Sequence, residues 1–118
     1  MPRYVDGFVI PLKKSKVKAY LAQARLGGRV WMEHGALEYV ESVADDLIPY
    51  GLGFRKLCRL KAGETVAFSF IVYRSRTHRD KVNEAAMKDP RLAGMMQGAM
   101  PFDTKRMAMG GFKVLVSR

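Results

Sequence analysis

The side chains best suited to acid–base chemistry lie together near the predicted end of the first helix. His34 stands close in sequence to Trp31, Glu38 and Tyr39. A histidine titrates near neutral pH and can move protons at the mouth of a cavity. His34, Glu38 and Tyr39 are therefore candidate catalytic residues, and Trp31, His34 and Tyr39 are candidate ligand contacts. A structural role for His34, as a cation at the negative end of the helix dipole, is favoured over the catalytic one.

Two further candidates for ligand binding, Asp6 and Arg106, lie near opposite ends of the chain. Asp6 is a carboxylate among the apolar residues of the first predicted strand, and Arg106 begins the last one. A buried carboxylate needs a partner, so we expect a salt bridge between Asp6 and Arg106. A structural role for this pair is favoured over a chemical one.

The sequence predicts neither a metal site nor a cofactor. The two histidines, His34 and His78, and the single cysteine, Cys58, are widely separated, and no two have the spacing of metal ligands. Neither a phosphate-binding loop nor a dinucleotide-binding glycine motif occurs. Any chemistry is therefore expected to rely on side chains alone.

The composition favours a cytoplasmic protein of one domain. A length of 118 residues is typical of a single domain, assigned here to residues 1–118. The lone Cys58 excludes an intrachain disulfide and fits a reducing compartment. No apolar run approaches the roughly 18 residues of a membrane helix, so we expect no membrane contact.

The elements that must position these residues follow the order β-α-β-β-α-β. Strand patterns occur at residues 4–10, 36–46, 65–73 and 106–116. Helical spacing predicts a first helix from an N-cap at Ser15 to a left-handed cap at Gly35. Ser75 is the predicted N-cap of the second long helix, and Pro11 is expected to end the first strand. This order predicts the ferredoxin-like α+β fold, a four-stranded antiparallel sheet with two helices on one face.

One strand of this sheet is apolar on both faces. Its two alternating sets of side chains are Val66, Phe68, Phe70, Val72 and Ala67, Ser69, Ile71, Tyr73. A strand buried on both faces needs cover on both sides of its sheet. The helices cover only one side, so we expect a second copy of the protein to cover the open sheet face and form a homodimer.

The net charge of +10 is unevenly distributed. The segment 30–54 has no Lys or Arg, and its acidic residues are Glu33, Glu38, Glu41, Asp45 and Asp46. If this segment meets basic residues of a partner copy, dimer affinity will weaken with salt. A basic surface can also attract nucleic acid, but the basic residues form no long run. An ordinary solvated surface is therefore favoured.

Several multi-residue blocks carry a family resemblance that extends from Tyr4 to Val116. They are Tyr4-Val5-Asp6-Gly7-Phe8, Glu33-His34-Gly35-Ala36-Leu37-Glu38-Tyr39, Ala44-Asp45-Asp46, Phe68-Ser69-Phe70-Ile71-Val72-Tyr73, Asp89-Pro90-Arg91, Met100-Pro101-Phe102-Asp103, Lys105-Arg106-Met107 and Gly110-Gly111-Phe112. With these blocks the chain resembles the YbaA-like family of small, mostly bacterial proteins of unknown function. The resemblance implies a dimeric α/β-barrel, in which two ferredoxin-like protomers pack sheet to sheet. It implies no activity, because none is established for the family.

The preferred functional hypothesis is a homodimer that binds a small apolar ligand in a cavity of each protomer, or acts as a regulator. One alternative, suggested by the fold alone, is a cofactor-independent monooxygenase or isomerase working in that cavity. A second alternative is RNA binding, because Phe68, Phe70 and Tyr73 have the spacing of a strand in the RNA-recognition fold. Val66 and Ala67 replace the basic residue and the glycine of that motif. Nucleic acid is therefore disfavoured as a partner.

Overall fold

The computed structural model, which describes residues 2–118, is built on one sheet. Its four strands are antiparallel and lie in the order β2-β3-β1-β4. They are β1 (Tyr4–Lys13), β2 (Glu38–Val43), β3 (Glu64–Tyr73) and β4 (Ala108–Lys113). The helices are α1 (Val17–Glu33), α2 (Phe54–Leu57), α3 (Arg76–Met87) and α4 (Pro90–Met96), with 3-10 turns at Lys14–Lys16 and Thr104–Arg106. The predicted ferredoxin-like α+β fold is confirmed.

The two faces of the sheet differ in how they are covered. On one face, Ile71 and Tyr73 of β3 are buried and pack with Val82 of α3. On the other face, Phe68 is 45% exposed and Phe112 is 61% exposed. The strand register places Val66 and Val72, which are buried, on this face together with the more exposed residues that we call the open sheet face: Val5, Val9, Val40, Phe68, Phe70 and Phe112. It is an apolar surface on the side away from α3.

The ends of the long helices follow local backbone chemistry. Gly35, at φ +112, lies just beyond the end of α1 in a conformation that disfavours any residue with a Cβ, as predicted. The Ser75 hydroxyl accepts from the His78 backbone N–H and caps α3, also as predicted. The prediction that Ser15 caps α1 is wrong, because Ser15 lies inside a 3-10 turn and Lys16 occupies the N-cap. No helix within residues 2–118 combines the length and apolarity needed to cross a membrane.

β1 runs through Pro11 to Lys13, so the prediction that Pro11 ends the strand is wrong. Pro11 pairs with Val66 of β3, whereas β4 accompanies β1 only as far as the Val9–Ala108 pair. One side of β1 is therefore unpaired at Pro11. A proline is tolerated at such an edge because its missing N–H has no partner strand there.

The connection between β2 and β3 exposes apolar side chains. β2 ends at Val43, earlier than predicted. Beyond it, Ile48 is 82% exposed, Tyr50 is 100% exposed and Leu52 is 60% exposed. The segment 46–57, with the short helix α2, surrounds a shallow cavity of about 400 Å³.

Candidate functional site

His34 and its neighbours in sequence, Trp31, Glu38 and Tyr39, have side chains that lie in different parts of the structure. The Trp31 indole N–H donates to a side chain of α3, and the Tyr39 hydroxyl donates to a side chain of its own strand. Glu38 is exposed at the start of β2. Side chains on a helix and on a strand follow different periods, so close neighbours in sequence diverge in space. The grouping seen in the sequence is not a single site.

His34 takes part in an ion-pair cluster at the junction of α1 and α4. Its Nε2 lies 2.9 Å from Oδ2 of Asp89, the N-cap residue of α4. Arg91 bridges Asp89, at 2.9 Å, and Glu33, at 3.1 Å. The guanidinium of Arg91 and the ring of His34 hold the pKa of Asp89 well below its usual range. The cluster ties the end of one helix to the start of another and gives His34 a structural partner.

Asp6 is buried, but the prediction that it pairs with Arg106 is wrong. Its partner is Arg79 of α3, which donates at 2.7 Å. Arg106 pairs instead with Glu64, at 2.6 Å, and holds the pKa of Glu64 down at about 2. The sheet register explains the difference, because Asp6 pairs with Gly111 of β4. Arg106 lies five residues before that position, in the 3-10 turn that precedes β4, so the prediction that it begins the last strand is also wrong.

Asp6 belongs to a closed set of hydrogen bonds beneath α1 and α3. Asn83 of α3 lies at its centre and donates to Asp6 at 3.3 Å. The Asn83 side-chain oxygen accepts from Trp31 at 2.9 Å and from Tyr73 at 3.0 Å. No buried side-chain polar atom within residues 2–118 lacks a hydrogen-bond partner. We call this set the buried network; it comprises Asp6, Trp31, Tyr73, Arg79 and Asn83.

A second polar set lies between α1 and the β2 edge of the sheet. The Tyr20 hydroxyl of α1 donates to Oε1 of Glu41, and the Tyr39 hydroxyl of β2 donates to Oε2 of the same carboxylate. Burial first, and then the charge of Glu41, raise the pKa of both phenols, so both remain protonated donors. We call these three residues the phenol–carboxylate cluster. It holds one negative charge in a fixed position with both of its oxygens engaged.

Two glycines of α1 allow the helix to approach this cluster closely. A Cβ on Gly27 would lie 3.1 Å from the Tyr39 hydroxyl oxygen. A Cβ on Gly28 would lie 3.1 Å from an atom of the Tyr39 ring. Glycine inside a helix costs about 1 kcal/mol relative to alanine. The absence of a Cβ at these two positions lets the Tyr39 ring pack directly against the helix, which explains why glycine occurs there despite its cost.

An open crevice of about 440 Å³ lies between α1 and β2. Its walls are mainly apolar, and its lining residues are Leu21, Ala24, Arg25, Gly28, Arg29, Met32, Tyr39 and Glu41. Of the candidates selected from the sequence, Tyr39 alone lines this crevice; Asp6, Trp31, His34, Glu38 and Arg106 do not. The crevice thus combines mainly apolar walls, charged side chains and open volume.

Sequence reasoning missed most of the crevice, although its pattern contains two usable signals. Glu41 lies two residues from Tyr39 on one strand, so both side chains point to the same face. Leu21, Arg25 and Arg29 recur at the four-residue spacing of one helical face. The crevice depends on that helical face meeting that strand face. Neither pattern alone shows this contact, because it is made between elements.

Other reactive side chains lie apart from the crevice. Cys58 is a partly buried free thiol, and burial raises its pKa. His78 accepts from the Arg74 backbone N–H at 2.9 Å, and burial lowers its pKa. Over residues 2–118, no group of three or more His, Cys, Asp or Glu side chains is placed to hold a metal ion. The crevice is therefore the best candidate for a functional site.

Comparison with known sequences finds relatives over nearly the whole chain. The family described as Protein of unknown function (DUF1428) matches residues 3–104. Uncharacterized protein YbaA of Escherichia coli K12 is 40% identical over 116 residues, which cover 97% of this chain and 97% of the relative. YbaA of Shigella flexneri matches with the same identity and coverage.

Solved structures share the fold at low sequence identity. A dimeric ferredoxin-like protein from an uncultured marine organism matches with a TM-score of 0.63 and 10% identity over 100% of both chains. A candidate antibiotic biosynthesis monooxygenase from Nitrosomonas europaea matches with a TM-score of 0.58 and 11% identity, over 96% of this chain and 90% of the other. At such identity the likeness concerns the fold alone.

Proposed function

Since the chain belongs to the DUF1428 family of proteins of unknown function, we propose from its own geometry that it is a homodimer that binds a small, mostly apolar ligand between α1 and β2. The crevice of about 440 Å³ carries this proposal. Ligand sites are commonly about 300–1,000 Å³ in volume, with mainly apolar walls and a few fixed polar groups. The phenol–carboxylate cluster supplies such polar groups, and Gly27 and Gly28 hold Tyr39 in place.

The ligand site is tested with a neutral apolar dye, N-phenyl-1-naphthylamine, whose fluorescence rises in an apolar site. Leu21 and Met32 line the crevice and are 42% and 45% exposed, so replacing both with Gln leaves the core intact. We expect the double variant L21Q/M32Q to weaken dye binding about tenfold, because it removes apolar contact area. The matched control is M87Q on α3, where the side chain is 54% exposed and lies outside the crevice. Equal dye affinity in all three proteins would contradict the proposal.

The open sheet face is the proposed dimer interface. Its exposed Phe68 and Phe112 support this assignment, as does the dimeric state named for one structural neighbour. We expect light scattering to give about twice the chain mass, and Phe68→Glu to give a monomer because it places a charge in an apolar interface. Met87→Glu on α3 is the control and should remain dimeric. A wild-type protein that is monomeric at micromolar concentration would remove this part of the proposal.

The RNA-binding alternative depends on the same face. Bases stack only on rings that are open to solvent, and a homodimer covers Phe68 and Phe70. A monomeric wild-type protein that binds single-stranded RNA at physiological salt, and loses this binding on Phe68→Ala, would favour RNA over the small ligand.

The proposal also includes a cytoplasmic location. Cys58 is the one cysteine of the chain and is a free thiol. A free thiol fits a reducing compartment. Recovery of the protein from the periplasm on cell fractionation would contradict this assignment.

A further inference from the structure

Two arginines place positive charge on the crevice. Arg25 and Arg29 lie one helical turn apart on α1, and both line the crevice. Both are exposed, and neither forms an ion pair with any carboxylate within residues 2–118. Arg79 and Arg106, in contrast, are paired with Asp or Glu. The crevice therefore has two guanidinium groups whose donors are available to a ligand.

The charge of the crevice selects the charge of its ligand. Arg25 and Arg29 contribute two positive charges, and Glu41 contributes one negative charge. Both Glu41 oxygens accept from phenols, and Glu41 forms no ion pair with Arg25 or Arg29. Glu41 therefore offsets one positive charge while both guanidinium groups remain accessible to a ligand. The remaining charge is +1, which matches a monoanion better than a dianion.

We infer that the ligand is a small, mostly apolar carboxylate whose charged group contacts Arg25 and Arg29 and whose body lies against Leu21 and Met32. The inference rests on the proposed function and adds the chemical class of the ligand. The planar fork of a guanidinium matches a carboxylate with two parallel hydrogen bonds. A guanidinium also binds phosphate, but a phosphate carries up to two negative charges, whereas Arg25, Arg29 and Glu41 leave the crevice a net charge of +1.

The test uses two probes that share one ring system and differ in charge, 2-naphthoate and 2-naphthamide. Isothermal titration calorimetry at low salt measures the affinity of each. We expect the wild-type protein to bind the carboxylate about tenfold more tightly than the amide, since charge-assisted hydrogen bonds are about twice as strong as neutral ones. The double variant R25Q/R29Q should lose this preference and keep its affinity for the amide within about twofold.

A matched control separates local contact from net charge. Arg76 is exposed in the first turn of α3, away from the crevice, so R76Q removes one charge without touching the site. R76Q should retain the preference for 2-naphthoate, and each single variant, R25Q and R29Q, should reduce it. Equal binding of the two probes, or loss of the preference in R76Q, would overturn the carboxylate inference.

The same measurements distinguish failure of this inference from failure of the proposed function. A protein that binds N-phenyl-1-naphthylamine in the crevice but shows no preference for 2-naphthoate has a ligand site without anion selectivity. A protein whose dye affinity is unchanged by L21Q/M32Q has no ligand site in the crevice, and both proposals then fall.

Discussion

The buried network and the phenol–carboxylate cluster both lie under α1, and they differ in what surrounds their carboxylates. Asp6 is 1% exposed and has a charged partner, Arg79. Glu41 is partly exposed, has two neutral phenols as partners and lies beside the open crevice. The comparison shows that a polar group with no space around it serves the packing of the fold. A charged group beside open volume instead adds to the electrostatics of a candidate ligand site.

The largest expected effect breaks the buried network. Asp6→Ala leaves the guanidinium of Arg79, whose side chain is 15% exposed, without its buried partner. Breaking a buried ion pair costs about 3–5 kcal/mol. We therefore expect the free energy of unfolding, measured with urea at fixed protein concentration, to fall by about that amount.

The matched control for that variant uses the same arginine. Asp80 also pairs with Arg79, at 2.8 Å, but it is 60% exposed. Asp80→Ala should cost under about 1 kcal/mol, because exposed ion pairs contribute little. Similar losses in the two variants would mean that burial does not distinguish the two partners of Arg79.

A smaller effect compares one phenol from each set. Tyr73 is fully buried and donates to Asn83, so Tyr73→Phe removes a hydrogen bond where water has no access. We expect a loss of about 1–2 kcal/mol. Tyr39→Phe removes a donor from Glu41 beside an open crevice, where water can replace it, and should cost under about 1 kcal/mol. If Tyr39→Phe proved the more destabilising variant in urea, the contrast between closed and open sets would fail.

The smallest expected effect is on the pH dependence of stability, and it is confined to pH values above about 10. Burial, followed by nearby carboxylates, raises the pKa of Tyr39 and of Tyr73 from the ordinary value of 10.0. Unfolded phenols ionise near pH 10 while the folded ones resist, so this stability is complete below pH 10 and is lost as pH rises above it. Each Tyr→Phe variant should therefore flatten the fall of melting temperature above pH 10. An unchanged alkaline slope in both variants would contradict the raised pKa values.

The fold could be predicted from the sequence because strands and helix ends have local sequence signals. The site could not, because it depends on contacts between elements. Alternation along β3 separates Phe68 from Ile71 without knowledge of any other element. Gly35 likewise indicates a helix end by its own backbone preference. The partner of Asp6 depends on where α3 lies over the sheet. Sequence patterns do not encode that placement, so the sequence predicts Arg106 as the partner of Asp6 where the structure has Arg79.

The position of β1 between β3 and β4 has a consequence for synthesis. β1 is synthesised well before its second neighbour, β4, since Val5 pairs with Phe112. Domains generally fold as units during synthesis, but this sheet cannot close until β4 has been synthesised. Until then one edge of β1 is unpaired and can pair with another nascent chain. Synthesis of β4 is thus the step that covers this edge of β1.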